Sequence, residues 1–122
     1  MTFRFGLKES IIQQISAIFA QYPQVHKARL YGSRAKGDYK TGSDIDLTLL
    51  GSEALTLKML YKIMGELDDL LLPYKFDLSI FRDISDLDVV EQIQRVGVTF
   101  YQKAKTTTET GQDGTEKSKK PV

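Results

Sequence analysis

A chain of 122 residues, 41% apolar and 27% charged, has room for one modest domain and the balance of a soluble globular protein, which sets aside membrane-spanning and fibrous classes. It has no cysteine, so disulfide frameworks and thiolate metal sites are excluded and zinc is a poor expectation. Seventeen Lys and Arg against sixteen Asp and Glu leave a net charge of +1, so there is no general pull toward nucleic acid and any phosphate binding has to be local.

The N-terminal MTFRFGLKES lacks the long apolar core of a signal peptide, and a cytoplasmic location is expected. From Leu7 to Tyr22 the residues Leu7, Ile11, Ile15, Ile18, Phe19 and Tyr22 recur at helical spacing, with Pro23 just beyond, and predict a helix with one buried stripe. Val25 to Tyr31 reads as a strand ending in a turn at Gly32. His26, the single histidine, has no acid near it in sequence and reads as structural or exposed. After the loop GSRAKGDYKTGS, residues Asp44 to Leu50 read as a second strand, with Ile45, Leu47 and Leu49 on one face and Asp44, Asp46 and Thr48 on the other.

Thr56 to Leu72 is the longest helical pattern, closed by Pro73. Leu57, Leu60, Tyr61, Met64, Leu67 and Leu71 are its expected core face. Met59, Ile63 and Leu70 widen the apolar arc to roughly 220°, which suits either a docking or self-association surface or burial under the terminal segments. Lys75 to Phe81 reads as a third strand, aliphatic on the Phe76, Leu78 and Ile80 side, with Asp77 and Ser79 opposite. A short helix over Asp86 to Val96 and an edge strand over Val98 to Tyr101 complete a domain of residues 1–104. Residues 105–122, rich in Thr, Lys, Gly and Glu, read as a disordered polar tail.

In a strand, the side chains of Asp44 and Asp46 point the same way with Cα atoms roughly 6.6 to 7 Å apart. If the third strand lies beside the second, Asp77 joins them, and three like charges on a small sheet repel without a cation. An oxygen cage with open positions suits Mg²⁺, which takes its remaining ligands from water and substrate phosphate. Gly32 allows the backbone to approach a phosphate, Ser33 offers a hydroxyl and an amide, and Arg34 and Lys36 add positive charge. Singly, each feature has an ordinary explanation: a turn, a solvated strand edge, exposed cations. An acid-bearing face repeated on two strands, each backed by aliphatic residues, is harder to obtain from solvation alone.

Gly32-Ser33, ten residues, then Asp44-Ile45-Asp46 resembles the G-S-x(10)-D-x-D signature of the DNA polymerase beta-like nucleotidyltransferases, with Asp77 where a third carboxylate belongs. The short chain is similar to the minimal nucleotidyltransferase (MNT) group, the antitoxins of HEPN-MNT toxin-antitoxin pairs. That resemblance implies an α/β (α+β) fold, a small mixed sheet flanked by helices. It further implies Mg²⁺ held by Asp44, Asp46 and Asp77 as catalytic acids, and nucleotide binding at Gly32, Ser33, Arg34 and Lys36. The implied reaction is transfer of AMP from ATP to a tyrosine of a HEPN ribonuclease toxin, with release of pyrophosphate. A hetero-oligomer with the toxin is the expected assembly, and a homodimer is the second option. Neither a membrane nor direct nucleic-acid binding is expected. Nucleotidyl transfer to a small hydroxylated molecule such as an aminoglycoside, or non-catalytic neutralisation by contact, are the alternatives.

Overall fold

The computed structural model describes residues 2–104, so the expected tail lies outside the described residues. Residues 3–8 form a hairpin, β1 (Phe3–Arg4) and β2 (Leu7–Lys8), around Phe5 and Gly6, both at positive φ of 59° and 75°. A two-residue turn of that kind matches the twist of the strands it joins. The helix expected from Leu7 therefore starts later, as α1 (Glu9–Ala20): Leu7 is fully buried in the hairpin and Lys8 is extended. Ile12, Ile15, Ile18 and Phe19 make its buried stripe.

The chain continues through β3 (Val25–Tyr31), α2 (Ser33–Lys36), β4 (Ile45–Gly51), α3 (Leu57–Asp68), β5 (Phe76–Ile80), a 3-10 turn (Phe81–Asp83), α4 (Leu87–Val96) and β6 (Val98–Gln102). The main sheet runs β5-β4-β3-β6, with β3 antiparallel to both β4 and β6 and β4 parallel to β5. Parallel neighbours need a crossover, and α3 supplies it. This is the small mixed sheet flanked by helices that the family resemblance implies. No helix among the described residues is long and apolar enough to cross a membrane.

Ala28, Leu30, Ile45, Leu47 and Leu49 are fully buried on one sheet face and join one core with the apolar residues of α1 and α3. The opposite face carries Arg29 and Tyr31 of β3 and Asp46 and Thr48 of β4, which pair as Arg29 with Thr48 and Tyr31 with Asp46. There Arg29 donates to the carbonyls of Ile93 (3.4 Å) and Gly97 (2.6 Å), which ties the end of α4 to this face. A Cβ at Gly97 would lie 2.3 Å from the Ile93 carbonyl oxygen, so glycine is required for that close approach. His26 is exposed on β3.

The phase of α3 differs from expectation. Leu60, Ile63 and Leu67 face the core, with Met59, Met64 and Leu70 packed partly against it, whereas Leu57, Tyr61 and Leu71 are exposed. Thr56 caps the helix by accepting from the Met59 amide, and the helix stops at Asp68. Leu71 then takes a positive φ of 55° on the way to β5, so it no longer follows helical periodicity. The widened arc of Met59, Ile63 and Leu70 is thus spent on the chain's own core.

Tyr22, just past α1, donates its hydroxyl to Glu66 of α3. That hydrogen bond, then burial and the carboxylate's charge, raise the phenol from 10.0 to about 12. A raised phenol stabilises the fold fully below pH 10, and the contribution is lost as pH climbs through about 12. Tyr22→Phe should cost about 1 kcal/mol at pH 7 by denaturant titration. The gap to wild type should narrow above pH 10 and vanish beyond pH 12. A pH-independent gap would assign the loss to packing instead.

Candidate functional site

The site is built where β3 gives way to the loop. Tyr31 ends β3, and Gly32 turns the chain at φ 75° into the single-turn helix α2, closed by Gly37 at φ 88°. The amides of Lys36 and Gly37 return to the carbonyls of Gly32 (3.1 Å) and Ser33 (2.9 Å). A Cβ at Gly32 would fall 2.3 Å from the Asp46 Oδ2. Glycine is favoured here by its φ, and a side chain in its place would push the Asp46 carboxylate away from the loop backbone.

Arg34 sits differently from an exposed phosphate contact. It is 3% exposed and donates from Nε and Nη2 to the Ser43 carbonyl (3.1 and 2.9 Å) and from Nη1 to the Phe5 carbonyl (2.8 Å). Its guanidinium also lies over the rings of Tyr39 (5.3 Å) and Tyr74 (5.0 Å). One planar fork thus ties the N-terminal hairpin, α2 and the residue before Asp44 together, a geometry that suits arginine. The turn at Lys40–Ser43, with Gly42 at φ 84° and the Ser43 amide returning to the Lys40 carbonyl (2.9 Å), brings the chain back into β4. Lys36 is exposed beside the loop.

Asp46 is the second residue of β4 and pairs with Asp77 of β5 in the parallel register, neighbours about 4.8 Å apart across the ladder. Across the other side of β4, Asp46 pairs with Tyr31. Asp44 stands one residue ahead of β4, exposed; the following amide, that of Ile45, donates to the Lys75 carbonyl (2.9 Å) and fixes the strand's entry. The structure thus brings Gly32, Asp46 and Asp77 together with Asp44 at the margin. Next along the same face, Ser79 donates to Thr48 (2.9 Å), and Thr48 is fully buried rather than solvated.

The charges register each other. Burial first, then Asp77 and Asp44, raise the Asp46 carboxyl above its ordinary value, with Arg34 opposing. Burial, then Asp77 and Asp46, raise the Tyr31 phenol, against a hydrogen bond with Ser79. Sequence reasoning missed Tyr31 as a member of the site. The available signal was its place two residues beyond Arg29 on the strand that ends at Gly32, which puts it on the acid-bearing face.

A repelling pair of carboxylates on adjacent strands is chemistry that suits a hard divalent cation. Among the described residues, no three His, Asp or Glu side chains converge into a complete cage. That arrangement fits Mg²⁺ bound by one or two carboxylates plus substrate oxygens, and does not fit an all-protein site.

Among curated proteins no relative is matched. Solved structures share the fold. A toxin-antitoxin complex with AMP-PNP aligns at a TM-score of 0.61 and 22% identity, covering 84% of this chain and 77% of that one. The MntA-HepT toxin-antitoxin pair aligns at 0.59 and 19%, covering 78% and 73%. The complex of a tri-AMPylated HEPN toxin with its MNT antitoxin from Shewanella oneidensis aligns at 0.59 and 19%, covering 77% and 71%. The family model described as polymerase beta, nucleotidyltransferase matches residues 13–106, and with the Gly32-Ser33 loop laid against Asp46 and Asp77 in register beside it, the chain belongs to the polymerase beta nucleotidyltransferase family.

Proposed function

We propose that this nucleotidyltransferase is the antitoxin of a HEPN-MNT pair and transfers AMP from ATP to a tyrosine of its HEPN ribonuclease toxin. The observation that carries the reading is the junction of Gly32 with Asp46 and Asp77, a backbone loop for phosphate set against paired acids. The fold shared with MNT antitoxins, one in complex with a tri-AMPylated HEPN toxin, supports the choice of acceptor.

Asp46 and Asp77, with Asp44 at their margin, would hold Mg²⁺, which when bound supplies charge neutralisation for the phosphates and for the reacting oxygens. Gly32 and Ser33 receive the β- and γ-phosphates through the backbone and the Ser33 hydroxyl, and Lys36 lies close enough in sequence to add charge. Arg34 keeps the loop and the start of β4 in place. The acceptor hydroxyl oxygen bonds to the α-phosphorus as the bond from that phosphorus to the bridging oxygen breaks. Pyrophosphate leaves with the electron pair, and the exposed Asp77 carboxylate takes the hydroxyl proton.

Neutralisation in cells separates catalysis from simple contact. Cells expressing the cognate HEPN toxin should survive with the wild-type chain and stop growing with the Asp44→Asn, Asp46→Asn double variant at equal expression. Equal protection by both would support neutralisation by binding and sink the catalytic reading.

A further inference from the structure

Residues 37–42, which return the chain from α2 to the acids of β4, belong to no helix or strand and are exposed. Beyond the bonds that close α2, they are shaped by the turn in which the Lys40 amide donates to the Ser43 hydroxyl (2.8 Å) and the Ser43 amide to the Lys40 carbonyl (2.9 Å). Their far end is tied to the rest of the fold by Arg34, whose Nε and Nη2 both donate to the Ser43 carbonyl, one residue ahead of Asp44. The third bond of that guanidinium goes to the Phe5 carbonyl, in the turn of the N-terminal hairpin.

That turn is shaped for the contact. Phe5 takes φ 59°, a left-handed conformation that glycine or asparagine enters at less cost, and a bulky residue persists there only when its surroundings hold it. Its ring stacks on Phe100 of β6, with centroids 6.2 Å apart, and packs against the core, while its carbonyl meets Arg34. The Glu9 amide donates to the Thr2 carbonyl (2.9 Å), which closes the hairpin onto α1. Gly6 has no room for a side chain: a Cβ there would run into the Tyr39 ring and lie 2.9 Å from the Arg34 Nη1. Tyr39 belongs to the exposed loop and is one of the two rings on that guanidinium. The hairpin backbone therefore touches both Arg34 and the loop that Arg34 holds.

We infer that the Phe5–Gly6 turn is a positioning element of the nucleotide site. Anchored to the core through Phe100, it fixes Arg34 and Tyr39, and through them the Gly32-Ser33 loop and the approach to Asp44. Without the Phe5 carbonyl, Arg34 keeps Ser43 but swings with the loop, and the loop backbone loses its fixed presentation to phosphate. The inference rests on the proposed binding of a nucleotide over Gly32 and Ser33, and it adds residues that lie outside the G-S-x(10)-D-x-D signature.

Gly6→Asn is the test, because asparagine accepts a left-handed φ while its Cβ still meets Tyr39 and Arg34. Phe5→Ala removes the hold on Phe100, adds no atom near Arg34 and serves alone if Gly6→Asn does not fold. Phe3→Ser, at an exposed position of the same hairpin, is the control. The full-length variants and wild type are titrated with AMP-PNP and Mg²⁺ by calorimetry, at a temperature where each is folded by its melt. Hydrogen exchange is read at the amides of Lys36, Gly37 and Ser43. For both test variants the Kd for AMP-PNP should rise about tenfold, the lower end of what losing a supporting contact behind a site costs. Exchange at those amides should quicken while that of α3 stays as in wild type, and Phe3→Ser should change neither. An unchanged Kd overturns the inference, as does exchange that quickens equally in α3, which would mark a general loss of stability. If wild type binds no AMP-PNP, the nucleotide reading fails separately. Exchange then decides alone: quickening confined to the loop supports the hairpin's hold on it, and unchanged exchange refutes it.

Discussion

Asp46→Asn is expected to lower AMP transfer by on the order of 10³-fold while leaving the fold intact, the scale on which removal of one fixed electrostatic group is felt in a transition state. Asp46 pairs with Asp77 in the sheet and lies against the Gly32 backbone, so its charge is central to both halves of the site. The sign of its effect on stability runs opposite to that of a salt-bridged acid. Burial and the neighbouring Asp77 and Asp44 raise its pKa, so the proton-bound form is favoured by folding at low pH and that advantage is lost as pH rises through the raised value. At neutral pH, without a divalent cation, the ionised carboxylate is a liability that asparagine removes. The variant should therefore melt no lower than wild type, and Mg²⁺ should raise the melting temperature of wild type more than that of the variant. A variant that loses activity because it unfolds would contradict this assignment. Gly32→Ala should lose activity comparably, since its Cβ would collide with the same carboxylate.

Arg34→Met should be the most destabilising change in the loop, about 3 kcal/mol, because it leaves the Ser43 and Phe5 carbonyls without their donors and strips the cation from between Tyr39 and Tyr74. For a domain near 100 residues that is a melting temperature lower by roughly 12 to 20 °C. Arg34→Lys should recover little, since an ammonium cannot span both carbonyls in one plane. If lysine restores the melt and alters only KM for ATP, the side chain serves as a phosphate contact after all.

Much of the scaffold is legible in the sequence because its signals are local. DIDLTLL and KFDLSIF alternate, VHKARLY carries β-favouring residues and runs into Gly32, and the corresponding strands end within a residue of where these signals place them. The spacing of Gly32-Ser33 and the Asp44-x-Asp46 pair is also local. What alternation cannot supply is register, and the pairing of Asp46 with Asp77 depends on β5 lying parallel beside β4 after the α3 crossover. The hairpin at residues 3–8 was hidden because its turn uses Phe5 at positive φ, where a short polar residue is the usual signal. The phase of α3 was misread because apolar residues surround the helix, and only packing against α1 and β5 decides which of them face inward. Arg34 looked like a surface cation because its partners, Phe5 and Ser43, are backbone carbonyls that carry no sequence signature.

The most direct measurement is the intact mass of the cognate HEPN toxin after incubation with this protein, ATP and Mg²⁺, beside the Asp44→Asn, Asp46→Asn double variant. Expected is a gain of one or more AMP units with wild type alone, located on tyrosine by peptide mapping. An unchanged toxin mass, with a stable complex formed by both proteins, would contradict nucleotidyl transfer to the toxin and leave contact as the means of neutralisation.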